Sequence, residues 1–157
     1  MDDMGHTYEG GCFCGAVRFT LRGGPEAMGF CHCDSCREWS AAPVNAFSLW
    51  KVDALQVTRG GANVRAFNRT PRSTRKWCTA CGGHLFTEHP QWGLVDVYAA
   101  LIPGLAFKPG LHVHYEETIL PMPDGLPKMK DLPAQMGGSG AVLPELRASP
   151  SRAAATA

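Results

Sequence analysis

Short segments in which apolar and polar residues alternate recur along this chain, separated by glycine, proline and aspartate. In Ala16-Val-Arg-Phe-Thr-Leu21, for example, Val17, Phe19 and Leu21 alternate with polar residues. Alternation with a period of two predicts a strand with one buried face. Similar strands are predicted over residues 44–50, 55–59, 64–68, 94–100 and 111–115, with one helical turn over residues 33–39. Many short strands with Gly and Pro between them predict an all-β barrel or sandwich.

The composition changes near residue 134, where Gly, Ser, Ala and Pro become frequent and aromatic residues are absent. Such a segment buries too little apolar surface to hold a fixed structure. We therefore expect one folded domain over residues 1–133 and a flexible C-terminal tail over residues 134–157. A chain of 157 residues has room for one core of this kind.

The chain is close to neutral, with a formal net charge of +1 at pH 7. Proteins that bind nucleic acid or an anionic membrane surface usually carry a clear basic excess, so neither partner is expected. The longest apolar stretch, residues 92–107, contains Asp96 and Pro103 and is too short to span a bilayer. The N-terminus has no basic and apolar leader, so no secretory signal is predicted.

The cysteines carry most of the functional information. All seven lie in three clusters, Cys12-x-Cys14, Cys31-x-Cys33-x-x-Cys36 and Cys78-x-x-Cys81. An odd number of cysteines, some only two residues apart, fits a disulfide framework poorly. Thiolates at this spacing wrap one tetrahedral ion, and Zn²⁺ is the ion that redox-silent sulfur sites usually hold. Thiolate ligands also fit a reducing compartment, so we expect a cytoplasmic protein.

Seven thiols divide into four for a closed structural site and three for an open catalytic site. Cys14 and Cys81 are each followed by glycine, which readily adopts the positive φ often needed after a metal-binding turn. This match favours one closed site of Cys12, Cys14, Cys78 and Cys81, with Cys31, Cys33 and Cys36 around a second ion. The competing division joins Cys33 and Cys36 to Cys78 and Cys81 as a zinc ribbon. The spacing keeps both divisions open, although the loop inside such a ribbon would be unusually long.

Three motifs of the chain together resemble a known family. They are Tyr8-Glu-Gly-Gly-Cys-Phe-Cys-Gly-Ala-Val-Arg-Phe19, Cys31-His-Cys-Asp-Ser-Cys-Arg37 and Trp77-Cys-Thr-Ala-Cys-Gly82. In these motifs, and over about residues 7–130, the chain resembles the glutathione-dependent formaldehyde-activating (GFA) enzymes, which share their domain with centromere protein V. The resemblance implies an all-β fold, a zinc-stabilised β-tent of short antiparallel strands with irregular loops.

The resemblance also implies a role for each cysteine. Cys12, Cys14, Cys78 and Cys81 match the structural zinc ligands of the family, and Cys31, Cys33 and Cys36 match the catalytic ones. Two zinc ions per chain are therefore expected, one structural and one catalytic. The implied activity is that of a carbon–sulfur lyase similar to S-(hydroxymethyl)glutathione synthase, with glutathione or a related thiol and a small aldehyde such as formaldehyde as substrates.

A zinc centre with three cysteines suits this activity. It carries a formal charge of −1 and is a weak Lewis acid, but it lowers the pKa of a bound thiol, which then reacts as a thiolate at neutral pH. A nearby arginine is well suited to bind the carboxylates of glutathione. Arg37, directly after Cys36, is the leading candidate, and Arg75 and Lys76 come second because the basic run that contains them also fits a solvated strand edge.

Two further questions stay open at the level of sequence. His32, between Cys31 and Cys33, could be a fourth ligand, a proton shuttle or a solvent-facing residue, and the solvent-facing role is favoured. The alternative function is a zinc-stabilised binding or adaptor module without catalysis. Oligomer formation is compatible with either function.

Overall fold

The computed structural model describes residues 5–145, and the fold is mostly β, as the sequence predicts. Its elements are β1 (Thr7–Gly11), β2 (Arg18–Arg22), β3 (Ala27–Cys31), α1 (Asp34–Ser40), β4 (Asn45–Lys51), β5 (Leu55–Arg59), β6 (Val64–Thr70), β7 (Ser73–Cys78), β8 (His84–His89), β9 (Leu94–Tyr98), β10 (Leu111–Val113), β11 (Lys128–Met129) and β12 (Val142–Leu143). Short 3₁₀ turns join several of the strands. The prediction of an all-β domain is confirmed.

The strands form two sheets that share no strand. The small sheet has the order β1-β2-β5, and the large one has the order β12-β11-β10-β3-β4-β9-β8-β7-β6. Neighbouring strands are antiparallel except around β10, which runs parallel to both β3 and β11. The expected antiparallel arrangement therefore holds for most of the domain. Strands β9 and β10 also run in the same direction, so the chain must return along the sheet between them. Residues 99–110 form this long connection.

The main core lies between the two sheets. It consists of the buried residues Cys12, Val17, Phe19, Leu21, Trp50, Cys78, Leu85, Phe86, Val95, Val97 and Ile102. Trp50 is fully buried, and its indole N–H donates to Ser48 Oγ at 2.9 Å, whose hydroxyl donates to the carbonyl of Val97 at 2.7 Å. The inclusion of Cys12 and Cys78 places the first thiol cluster directly at the end of this core.

The large sheet separates this core from a polar face. Along β9, Val95 and Val97 point into the core, so Asp96 and Tyr98 point to the opposite face. Helix α1 packs near β4 and carries Cys36. A smaller apolar group, Phe47, Val113 and Met129, lies in a second cluster. The functional chemistry predicted for Cys36 therefore belongs to the polar face.

The predicted strands correspond to β2, β4, β5, β6, β9 and β10, and the predicted helical turn corresponds to α1. The alternation did not predict β7 and β8, because β7 is polar from Ser73 to Lys76 and the adjacent apolar residues Leu85 and Phe86 of β8 interrupt a period of two. It also missed β1, β3, β11 and β12, which are short or contain glycine. None of the helices within residues 5–145 has the length and apolar character needed to cross a membrane.

The folded part of the chain extends beyond the predicted boundary at residue 134. Strand β12 pairs with β11, and Glu145 accepts hydrogen bonds from the Gly125 N–H at 2.8 Å and from Lys128 Nζ at 3.2 Å. Residues 134–145 are therefore held against the domain by backbone and charged contacts that their composition did not indicate. The predicted tail from residue 146 onward lies outside the described residues.

The turn between β5 and β6 contains a glycine, Gly60, whose backbone conformation and close contacts exclude a larger residue. Gly60 has φ +72°, and a Cβ there would lie 2.0 Å from the Ala16 carbonyl oxygen, just behind the first thiol cluster. Gly60→Ala is expected to lower the free energy of unfolding by at least about 1–2 kcal/mol, the cost of the left-handed conformation alone. Gly61→Ala is the control, since a Cβ at Gly61 meets open space; its effect should stay below about 1 kcal/mol. Urea unfolding measures both, and equal losses would contradict the prediction.

Candidate functional site

Four cysteine thiols converge where the β1–β2 turn meets the β7–β8 turn. The Sγ atoms of Cys12, Cys14, Cys78 and Cys81 all lie within 4.8 Å of one another. Sγ of Cys14 lies 3.6 Å from that of Cys12 and 4.0 Å from that of Cys78. A tetrahedral zinc with Zn–S bonds of about 2.3 Å separates its sulfur ligands by about 3.8 Å. The four thiols therefore fit a closed zinc site.

The backbone around these thiols has the geometry that the Cys-Gly pairs predict. Gly15 has φ 77° and Gly82 has φ 73°. The N–H of each glycine donates to the carbonyl of the first cysteine of its turn, at 3.0 and 2.7 Å. N–H groups just after each glycine turn toward sulfur: Val17 N–H, two residues on, donates to Cys12 Sγ at 3.3 Å, and Gly83 N–H, one residue on, donates to Cys81 Sγ at 3.4 Å. These hydrogen bonds favour the thiolate form that a metal needs.

The other three cysteines form a second cluster. Cys31 ends β3, Cys33 caps the N-terminus of α1, and Cys36 lies in the first turn of that helix. Their Sγ atoms lie within 4.8 Å of one another, with 3.4 Å between those of Cys31 and Cys33. Within residues 5–145 no fourth cysteine, histidine or carboxylate joins this group. The zinc-ribbon division does not occur, because Cys33 and Cys36 lie in a different cluster from Cys78 and Cys81.

The three thiols of the second cluster oppose one another electrostatically. Hydrogen bonds from the Cys31 and Cys36 thiols lower the pKa of Cys33 to about 3. Cys33 and Cys36, together with burial, raise the pKa of Cys31 well above its usual value. One thiol therefore ionises readily only while its partners stay protonated. A cation between the sulfur atoms removes this conflict by stabilising all three thiolates. Both the spacing of the sulfur atoms and their electrostatics therefore fit a zinc ion.

Arg75 is the cation beside the second cluster. Its side chain is buried, and its Nη1 and Nη2 atoms lie 3.9 and 3.8 Å from Cys36 Sγ. Nη2 also donates to Ser35 Oγ at 2.9 Å, and the guanidinium lies 5.8 Å from the centre of the Trp39 ring. These contacts hold a fixed positive charge next to the three thiols.

The other two predicted substrate-binding residues lie elsewhere. Arg37 Nε donates to the carbonyl of His32 at 3.0 Å, so this side chain braces the backbone of the cysteine loop. Lys76 follows Arg75 on a strand and therefore points to the opposite face, where it pairs with Glu88 and lies 5.7 Å from the Phe86 ring. Of the three candidates, Arg75 is the one whose guanidinium or ammonium group contacts a cysteine of this cluster.

His32 is fully buried, so its favoured solvent-facing role is wrong. Its Nε2 lies 2.8 Å from His112 Nδ1, and its Nδ1 lies 2.7 Å from the hydroxyl of Thr118. His112 Nε2 in turn lies 2.9 Å from Asp124 Oδ2. Both ring nitrogens of His32 are engaged in hydrogen bonds, so neither is free to act as a fourth metal ligand.

This hydrogen-bonded chain continues to the end of the described residues. The ammonium group of Lys128, a residue only 1% exposed, contacts Asp124 and Glu145. Burial acts to raise the pKa of Asp124, but hydrogen bonds from Lys128 and His112 outweigh it and hold the pKa well below its usual value. Sequence reasoning did not find this chain, because its members are brought together by the parallel strand β10 and by residues 118–124.

The polar face of the large sheet supplies further groups that the sequence did not single out. Trp39 stacks on His84 with ring centres 4.4 Å apart, and the two line a shallow cleft of about 480 Å³ together with Phe67, Trp77 and Gly82. Asp96 lies on the same face of the sheet, opposite Thr87 in the register. The only sequence signal for Asp96 was a charge inside an apolar stretch.

Comparison with known proteins gives related sequences and one related fold. A Schizosaccharomyces pombe protein described as an uncharacterized lyase is 29% identical over 79 residues, which is 50% of this chain and 56% of that protein. A Halomonas elongata protein, provisionally named a glutathione-dependent formaldehyde-activating enzyme, is 28% identical over 113 residues, 68% of this chain and 72% of its own. The chain thus spans little more than half of the first relative.

A crystal structure of a Rhodobacter sphaeroides protein has a similar fold, with a TM-score of 0.53 and 20% identity over 62% of this chain and 89% of that one. The sequence model of the family described as glutathione-dependent formaldehyde-activating enzyme matches residues 7–117. That match covers more than half of the chain and includes both thiol clusters. The chain therefore belongs to the glutathione-dependent formaldehyde-activating enzyme family.

Proposed function

We propose that the protein is a zinc-dependent carbon–sulfur lyase-type enzyme that joins glutathione or a related thiol to a small aldehyde, and reverses that reaction. The observation that carries the proposal is the three-thiol cluster with the buried Arg75 guanidinium beside it. Family membership and the names of two relatives agree with this chemistry. The proposal includes a cytoplasmic location, because a reducing compartment keeps thiolate ligands from forming disulfides.

Each cysteine has a distinct task in this proposal. Cys12, Cys14, Cys78 and Cys81 hold a structural zinc, because four thiols leave no position for a substrate. Cys31, Cys33 and Cys36 hold a catalytic zinc with one position left for another ligand. When bound there, the metal supplies a thiol of lowered pKa, ready to react as a thiolate near neutral pH.

The bond changes of the reaction are simple. The thiolate sulfur forms a bond to the carbonyl carbon of the aldehyde, and the π electrons of the C=O bond move to oxygen. That oxygen takes a proton, and with formaldehyde and glutathione the product is S-hydroxymethylglutathione. In the reverse direction the carbon–sulfur bond breaks, which is the lyase step. Arg75 provides positive charge where the anionic thiol and its carboxylates approach.

Metal analysis of two cysteine variants tests the division of the thiols. The wild-type protein is expected to contain two zinc ions per chain. Cys81→Ser should unfold the domain, because the binding free energy of a structural zinc is folding free energy. Cys33→Ser should lose one zinc and the lyase activity while its circular dichroism stays close to that of the wild type, since these three thiols connect only neighbouring residues. Unfolding of Cys33→Ser, or a folded Cys81→Ser with full zinc, would contradict the assignment.

Binding of glutathione tests the role of Arg75. Arg75→Ala is expected to weaken glutathione binding about 5- to 150-fold, the loss of about 1–3 kcal/mol that follows removal of a charge-assisted hydrogen bond. Lys76→Ala is the matched control, because its charge lies on the opposite face of β7, and it should bind as the wild type does. Calorimetry gives the affinity, and the thiolate-to-metal absorption of cobalt-substituted protein reports whether the thiol reaches the cluster. A cobalt spectrum indifferent to glutathione and other small thiols would favour the alternative of a zinc-stabilised binding module.

A further inference from the structure

A row of side chains crosses the polar face of the large sheet. The strand register places Phe67 opposite Arg75, Arg75 opposite Thr87, Thr87 opposite Asp96, and Asp96 opposite Leu49. Side chains that lie directly opposite in register share a face of the sheet. The Arg75 end of this row contacts Ser35 and Cys36 of α1. Asp96 therefore lies on the same face as the three-thiol cluster.

The Asp96 carboxyl has no counter-charge of its own. The side chain is half-buried, yet Oδ1 is shielded from solvent and has no hydrogen-bond partner in the part of the chain from residue 5 to residue 145. Arg75 is two strands away, about 10 Å at the usual strand spacing, and its guanidinium turns to Ser35 and Cys36 instead. An ionised carboxylate in this position would be costly, whereas a neutral carboxyl is not.

The surroundings of Asp96 on this face raise the pKa of its carboxyl. Burial, and then the negative charge of a Cys36 thiolate, raise the pKa of Asp96 well above its usual value, while the Arg75 charge and a hydrogen bond from the Ser48 backbone N–H oppose them only in part. Tyr98 lies on the same strand, and burial followed by the charge of Asp96 raises its pKa too, so it stays neutral. On β8, burial lowers the pKa of His84 and of His89, so both imidazoles favour the neutral form. Arg75 is thus the one cation among these groups.

Asp96 is also separate from the metal ligands. Its carboxyl does not join Cys31, Cys33 and Cys36 in the group whose ligand atoms all lie within 4.8 Å of one another. A carboxyl on the same face as the reaction centre, outside the ligand set and with one oxygen free of hydrogen bonds to the described residues, is placed to exchange a proton with a substrate. Such a group assists the addition of a thiolate to an aldehyde, because the carbonyl oxygen gains negative charge as the carbon–sulfur bond forms.

We propose that Asp96 is the catalytic acid of the reaction, donating its carboxyl proton to the carbonyl oxygen of the aldehyde as the thiolate sulfur bonds to the carbonyl carbon. The products of this step are the hydroxymethyl thioether, or its homologue from a larger aldehyde, and the Asp96 carboxylate. The carboxylate recovers its proton from the next substrate thiol, which loses one on becoming a thiolate, so protons balance over a cycle. In the reverse direction Asp96 accepts the hydroxyl proton. The inference rests on the proposed function.

Replacement of Asp96 by asparagine in the zinc-loaded protein tests this role. Asparagine keeps the size and polarity of the carboxyl but cannot transfer its proton, so zinc content and circular dichroism should be unchanged. With glutathione and formaldehyde, kcat of Asp96→Asn is expected to fall about 10²- to 10⁴-fold, the usual contribution of a positioned acid. Asp53→Asn is the matched control, since Asp53 is exposed in the turn after β4, and it should keep wild-type kcat.

Two pH-dependent measurements separate an acid from a structural residue. The acid works in its protonated form, so the wild-type addition rate should fall as the pH rises through the raised pKa of Asp96, and Asp96→Asn should lack this decline. Infrared difference spectra at pH 7 should contain the C=O band of a neutral carboxylic acid in the wild type and in Asp53→Asn, but not in Asp96→Asn.

The outcomes are distinguishable. A wild-type spectrum without the neutral-acid band overturns the inference even if Asp96→Asn does not fold. Wild-type turnover by Asp96→Asn, or an unchanged alkaline decline in that variant, overturns the acid role while leaving the proposed function intact. Absence of any reaction between thiols and aldehydes in the wild type overturns the proposed function, and the acid role with it.

Discussion

The fold depends on what joins two sheets that have no strand in common. Cys12 and Cys14 lie in the turn between two strands of the small sheet, and Cys78 and Cys81 lie in a turn of the large one. The four sulfur atoms meet at the end of the core, where Cys12 and Cys78 also pack among apolar side chains. A metal ion held there would link the sheets by coordination bonds at the point where apolar packing ends. A small β-domain with a modest core gains much of its stability from such a link.

With one face of the large sheet committed to the core, the opposite face is available for chemistry. On β7, β8 and β9 the core side carries Cys78, Phe86 and Val97, and the opposite side carries Arg75, Thr87 and Asp96. Side chains from separate strands are held at fixed spacing by the backbone hydrogen bonds of the sheet. This face of the sheet can therefore hold the cation, the proton donor and the thiol cluster of the proposed reaction at fixed positions.

Local sequence predicted the parts of the site that are local. The spacing of the thiols and the glycines after Cys14 and Cys81 predicted both clusters and the backbone geometry of their turns, because each turn spans a few residues. The same local reasoning favoured Arg37 over Arg75, whereas in the structure it is Arg75 that contacts a cysteine of the second cluster. A side chain one position after a ligand on a helix points away from it, whereas the sheet register carries Arg75 across from a distant strand. Sequence reasoning also missed the position of Asp96 and the partners of His32. The contacts of a buried polar residue depend on pairing between distant parts of the chain, which local sequence does not contain.

The hydrogen-bonded chain from His32 through His112, Asp124 and Lys128 to Glu145 links the thiol loop to a segment whose composition looks dispensable. Anyone trimming this protein for crystallisation, or choosing where to fuse a reporter, would cut at residue 133 on composition alone. That cut removes one of the two carboxylates that neutralise a buried ammonium group. Loss of the Glu145 carboxylate would disturb Lys128 and Asp124, and through the hydrogen bonds of His112 and His32 it would disturb the backbone between Cys31 and Cys33. The useful limit of the domain is therefore set by a charge balance, and it lies at or beyond Glu145.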